Sequence, residues 1–88
     1  MIVKLYTTSG CHLCEEALTM LDTLRKDNPS FNINIEEVEI ANCDRLVETY
    51  GIRIPVIAVE DQEIGWPFSP LELQAFAAHC FQQEKPGT

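Results

Sequence analysis

The sequence predicts an α/β layered domain in which helices flank a four-stranded mixed sheet, in the order β-α-β-α-β-β-α. Three observations carry this. A β-rich apolar run, Ile2-Val3-Lys4-Leu5-Tyr6-Thr7, passes almost at once into an amphipathic helical pattern. A second strand pattern follows that helix, and strand, crossover and strand suggest a parallel βαβ unit. The last third holds an apolar run broken by Pro55, a hairpin signal, and a helix opened by Ser69-Pro70.

Ile2 to Thr7 is expected as a central strand buried on both faces, because it is too apolar for a sheet edge. Lys4 is the exception; it lies near the strand's open end or snorkels, and no chemical role falls to it. His12 to Lys26 reads as a helix, with Leu13, Ala17, Leu21 and Leu24 at the helical period and Leu18 and Met20 widening the stripe. Glu15 and Glu16 in its first turn, and Arg25 and Lys26 in its last, suit the helix dipole. Asp27-Asn28-Pro29-Ser30 ends it.

The alternation Ile33/Ile35 places a second strand at about 32–39. Asn42 to Tyr50 reads as a short helix capped by Asn42, with Leu46, Val47 and Tyr50 inward and Gly51 in the C′ place. Ile52 to Val59 is a third strand, interrupted early by Pro55, and Asp61-Gln62 turns it into a short strand through Ile64. Gly65-Trp66-Pro67-Phe68 is a loop. Leu73, Phe76, Ala77, Cys80 and Phe81 then form the buried stripe of the last helix, with His79 pointing outward. One domain is expected over residues 1–82, with 83–88 as a frayed tail.

The chemistry lies between the first strand and the first helix, in Thr8-Ser9-Gly10-Cys11-His12-Leu13-Cys14. Residues three apart share a helix face, and the first turn exposes unpaired N–H groups. A thiolate placed there meets partial positive charge and free donors, which lower its pKa from the ordinary ~8.5. Cys11, at the cap, is the expected attacking thiol. Cys14, one turn inside, is the expected resolving thiol. Glu15 lies four residues after Cys11 and opposes ionisation, so the expected lowering is not extreme. His12 is read as a solvated side chain beside the site. Cys43 at the start of the second helix and Cys80 on the last helix's apolar stripe are read mainly as space-filling residues.

Composition narrows the function classes. The 88 residues carry fourteen acids against six bases, a net charge of −8. Nucleic acid and anionic membranes both need clustered Lys and Arg, so neither is an expected partner. No run approaches the ~18 apolar residues that span a bilayer. Met1 runs directly into strand residues without the marks of a signal peptide, so the cytoplasm is the expected compartment. There, paired cysteines are more often catalytic or metal-bound than structural bridges.

The arrangement resembles the thioredoxin superfamily, and most closely small glutaredoxin-like proteins. The likeness is carried by Leu5-Tyr6-Thr7 leading into Cys11-His12-Leu13-Cys14, by Tyr50-Gly51-Ile52-Arg53-Ile54-Pro55-Val56, and by Glu63-Ile64-Gly65. It covers nearly the whole chain. The resemblance implies a thioredoxin-like fold and thiol–disulfide exchange. It also implies a cis Pro55 facing the dithiol, with the Ile54 backbone pairing the extended substrate; the other reading of Pro55 is a trans proline starting an edge strand. Arg53 and Gly65 complete the substrate-binding residues so implied, with Arg53 in place to hold a carboxylate.

This chain departs from the family pattern at several points. His12-Leu13 replaces the usual Pro-aromatic pair, Thr8 stands where a basic residue is usual, and Gly65-Trp66-Pro67-Phe68-Ser69 keeps one glycine of a glutathione-binding pair. With Glu15 and Glu16 beside the site, glutathione is disfavoured as a bound cofactor, and no other cofactor is expected. The Trp66 and Phe68 loop would suit a larger apolar partner, or form a buried lid.

Three functions remain open on the sequence. The leading one is an enzyme, expected as a monomer, that reduces a disulfide-containing protein or small molecule and draws electrons from glutathione or a reductase. The second is metal or iron–sulfur binding, against which Cys43 and Cys80 stand far apart and single. The third is a binding module that keeps the fold without redox turnover.

Overall fold

The computed structural model describes residues 1–83. The elements run β1 Ile2–Thr7, α1 His12–Asp27, a 3₁₀ turn Pro29–Phe31, β2 Asn34–Glu39, a 3₁₀ turn Ile40–Asn42, α2 Asp44–Tyr50, β3 Val56–Val59, β4 Gln62–Gly65 and α3 Pro70–Gln83. The four strands lie in the order β2-β1-β3-β4. β1 and β2 are parallel, from Ile2 opposite Asn34 to Thr7 opposite Glu39. β3 is antiparallel to β1, with Lys4 opposite Ala58 and Tyr6 opposite Val56, and β4 returns antiparallel along β3. The expected element order and mixed sheet are both present.

One face of the sheet carries the core. Val3 and Leu5 of β1 and Ile57 and Val59 of β3 meet Ala17, Leu21 and Leu24 of α1 and Leu73, Ala77 and Cys80 of α3. These are the helical-period positions of both helices, so burial of their apolar stripes is what packs α1 and α3 against the sheet. Phe81, expected in the buried stripe, is exposed instead, with its ring 5.0 Å from that of Phe31.

The opposite face corrects the expectation for β1. The strand is central, but only Val3 and Leu5 are buried; Ile2 and Lys4 are exposed. Burial on both faces belongs to β3, where all four residues are buried. The reason is the length of α2. Seven helical residues span about 10 Å, whereas the six residues of β1 span about 20 Å. α2 therefore covers only the Tyr6 end, where the Tyr6 and Tyr50 rings stack with centroids 4.2 Å apart. Beyond it a groove of about 420 Å³ lies open along Met1, Ile2, Lys4, Tyr6 and Ala58.

Several boundaries also move. β2 begins at Asn34, because Asn32 takes a left-handed conformation with φ 55°. Cys43, rather than Asn42, is the N-cap of α2, since Asn42 closes the preceding 3₁₀ turn. Leu46 and Tyr50 are half-buried, but Val47 is 44% exposed, so a helix this short buries a narrower stripe than predicted. Gly51 keeps helical angles, φ −47° and ψ −44°, and its N–H still bonds to Val47 O at 2.8 Å. A Cβ there would meet the same oxygen, so the residue is small because the backbone is close.

Residues 51–53 form a turn, and β3 begins only after Pro55. The hairpin turn is Glu60-Asp61, one residue earlier than expected, with φ 56° at Glu60. α3 starts on a reciprocal cap: Ser69 Oγ accepts the Glu72 N–H at 3.0 Å and Glu72 Oε1 accepts the Ser69 N–H at 2.9 Å. The helix continues through Gln83, the first residue of the expected tail. The rest of that expected tail, 84–88, lies outside the described residues.

Candidate active site

The parallel exit of β1 and β2 and the antiparallel entry of β3 bring three connections to one end of the sheet. From the end of β1, Thr8 and Ser9 lead to Gly10, whose φ of 78° turns the chain into α1. Glycine takes this conformation without the clash a Cβ would bring. Cys11 follows as N-cap in an extended conformation, and its Sγ accepts the Cys14 N–H at 3.1 Å. The two cysteines form a disulfide, with Cα atoms 5.2 Å apart. Cys11 is half-buried, Cys14 is 3% exposed, and His12 and Leu13 between them are exposed. Cys11 thus keeps partial access to solvent while Cys14 is covered.

The β1–β3 ladder, continued one step past Tyr6 and Val56, sets Pro55 beside the end of β1, where the cysteine loop departs. The Ile54–Pro55 peptide is cis, as is Trp66–Pro67. Pro55 is fully buried and its carbonyl accepts the Trp66 N–H at 3.1 Å, which extends the β3–β4 pairing beyond Gly65. Gly65 is exposed at the end of β4. The Ile54 N–H donates to Tyr50 O at 3.0 Å, so pairing between Ile54 and a guest chain would use its carbonyl. Arg53 is exposed, and its guanidinium is occupied: it lies 3.2 Å from a Glu63 oxygen and 5.4 Å from the centre of the Tyr50 ring.

The aromatic loop packs inward. Phe68 is 6% exposed and belongs to the core, and Trp66 packs edge-on against it at 5.1 Å. Of the remaining cysteines, Cys43 is exposed at the start of α2 and Cys80 is buried in α3. Among the described residues no group of three His, Cys, Asp or Glu side chains is placed to hold a metal ion.

Two carboxylates to which the sequence assigned no role hold the neighbouring connections. Glu39, at the end of β2, accepts hydrogen bonds from Ser9 and Ala41. Glu63, on β4, accepts the Tyr50 hydroxyl at 2.5 Å and the Arg53 guanidinium. The Ala41 N–H above all, then the Thr8 hydroxyl and Ser9, hold the Glu39 carboxyl below its usual range. The Glu63 carboxylate, first through its hydrogen bond, pushes Tyr50 above the ordinary tyrosine value. Glu39 lies in no motif, and Glu63 entered only as part of the Glu63-Ile64-Gly65 likeness, with no role of its own. Both lie far in sequence from the loops they hold.

The family model for the glutaredoxin-like domain (DUF836) matches residues 2–78. The chain belongs to this glutaredoxin-like family. Solved structures agree on the fold. The crystal structure of the structural genomics target XcR50 from X. campestris is 29% identical, with a TM-score of 0.75 over 88% of this chain and 96% of that one. Its solution structure is 30% identical, with a TM-score of 0.74 over 90% and 95%. Thioredoxin 1 from Thermosipho africanus, at 17% identity, shares the fold with a TM-score of 0.66 over 94% and 96%. No functionally curated protein matches the chain. The glutaredoxin-like domain here is thus a thioredoxin fold with a Cys11–Cys14 disulfide at the start of its first helix. Among its described residues no helix is long and apolar enough to cross a membrane.

Proposed function

We propose that the protein is a thiol–disulfide oxidoreductase in which Cys11 and Cys14 cycle between dithiol and disulfide. The observation that carries this reading is the asymmetry of the pair, an outer sulfur at a helix cap and an inner one covered. Reduction of a guest disulfide takes two exchanges. The Cys11 thiolate attacks one guest sulfur, forming a Cys11–guest disulfide and expelling the other guest sulfur as a thiolate, which takes a proton from water. Cys14 then loses its proton and attacks Cys11 Sγ, which closes the internal disulfide and releases the second guest thiolate. The guest gains two electrons and the pair loses two. An external thiol, from glutathione or a reductase, returns them by the reverse exchanges.

The neighbouring residues support a guest that is a protein or a small disulfide. The Ile54 carbonyl offers one main-chain acceptor beside Pro55, and Gly65 leaves the flank of β4 free of a side chain. Arg53 can hold a guest carboxylate only in competition with Glu63. With a net charge of −8 and exposed Glu15 and Glu16 next to the pair, an anionic guest such as glutathione is disfavoured. The reaction is assigned to the cytoplasm, where such pairs are kept reducible.

The test is mutational. Reduced Cys14→Ser protein, mixed with a protein disulfide, is expected to accumulate a mixed disulfide through Cys11, seen as a mass increase removed by dithiothreitol. Cys11→Ser is expected to lose reductase activity. Full activity in Cys11→Ser would end the proposal.

A further inference from the structure

We infer that Glu39 is a positioning residue for Cys11, an inference that rests on the dithiol reading above. Thr7 and Glu39 are the last paired residues of the parallel β1–β2 ladder, so the two chains leave the sheet side by side. Past a strand end the backbone N–H groups lose their ladder partners and need others. The Glu39 carboxylate serves both exits. Its Oε1 accepts the Ser9 N–H at 3.1 Å and the Ser9 hydroxyl at 3.3 Å, and its Oε2 accepts the Ala41 N–H at 3.0 Å.

Ser9 lies two residues before Cys11, and only Gly10 stands between them. Gly10 is the conformationally permissive residue of that loop, so fixing the chain immediately before it determines where Cys11 arrives. Once there, Cys11 Sγ meets the Cys14 N–H and the start of α1, the groups that stabilise a thiolate. Glu39 is anionic and by charge alone would oppose ionisation of the thiol. Its effect on Cys11 is therefore geometric. An ionised carboxylate is the fitting group, because it offers two acceptor oxygens and makes stronger bonds than a neutral acceptor. Glutamine would supply one oxygen and an NH₂ group that cannot accept either N–H.

The experiment follows alkylation of Cys11 by iodoacetamide as a function of pH, in the reduced full-length chain, with the labelled cysteine identified by peptide mass. Glu39→Ala is expected to raise the apparent Cys11 pKa and slow alkylation at neutral pH by about threefold, the equivalent of half a pKa unit. Glu39→Gln is expected between Glu39→Ala and wild type. Thermal unfolding by circular dichroism is recorded alongside, because a merely structural role would lower Tm without moving the alkylation profile. If Glu39→Ala does not fold, Glu39→Gln is read against wild type in the same way. A profile that superimposes on wild type, in the folded variant, overturns the positioning role. A wild-type Cys11 that titrates as a free thiol would instead sink the dithiol reading, while the difference between variant and wild type still judges Glu39.

Discussion

The Arg53 guanidinium is held by Glu63 at 3.2 Å, two residues before Pro55. The other Glu63 oxygen takes the Tyr50 hydroxyl, and the Tyr50 ring stacks on Tyr6. One carboxylate thus joins the end of α2, the turn before Pro55 and β4. The cation nearest the cis-proline turn is part of an internal clasp.

Arg53→Gln is therefore expected to change kcat/KM for a glutathione mixed disulfide by less than about fivefold, the equivalent of an exposed ion pair worth about 1 kcal/mol. Steady-state assays with that substrate check it. A hundredfold fall would place the guanidinium on the substrate carboxylate.

Tyr50 should resist ionisation beyond the ordinary tyrosine range, because the Glu63 hydrogen bond favours the protonated phenol. Its folded pKa is raised, so its contribution to stability is complete below the unfolded value of 10.0 and is lost as pH climbs toward the folded one. Urea melts of wild type and Tyr50→Phe between about pH 8 and 11 read this. Wild type is expected to lose more stability over that interval than the variant.

Glu39 has the opposite sign. Its folded pKa is depressed, so its contribution is present above the unfolded value of 4.5 and disappears as pH falls through the folded one. Glu39→Gln is expected to show a shallower loss of stability below 4.5 than wild type, measured by urea melts in acid. Parallel curves would refute the linkage.

Two aliphatic positions separate core from surface. Leu21 is 1% exposed, and Leu21→Ala is expected to cost about 2–5 kcal/mol in chemical denaturation. Val47 is 44% exposed, and Val47→Ala is expected to change stability by less than about 0.5 kcal/mol. A large loss at Val47 would mean that α2 buries the wider face read from its periodicity.

Local pattern made the α-helices and the mixed sheet readable because each helix repeats its apolar residues on one face, and that face has one place to go. Ala17, Leu21 and Leu24, and likewise Leu73, Ala77 and Cys80, are buried where periodicity put them. The two-sided burial assigned to β1 failed because it depends on the reach of α2, a property of a different segment. Val47 failed for the same reason.

The sequence alone settled the dithiol's setting: a cap position and one turn of helix are local facts, and Cys11 and Cys14 are three residues apart. Only the tertiary structure decided what steadies that setting. Glu39 reaches Ser9 across 30 residues beside the β1–β2 ladder, and Glu63 of β4 reaches Tyr50 of α2 across 13, contacts that no short stretch encodes. A carboxylate at a strand end is chemically ordinary until the register of the sheet gives it donors. That register follows from burying the apolar face of the whole sheet at once.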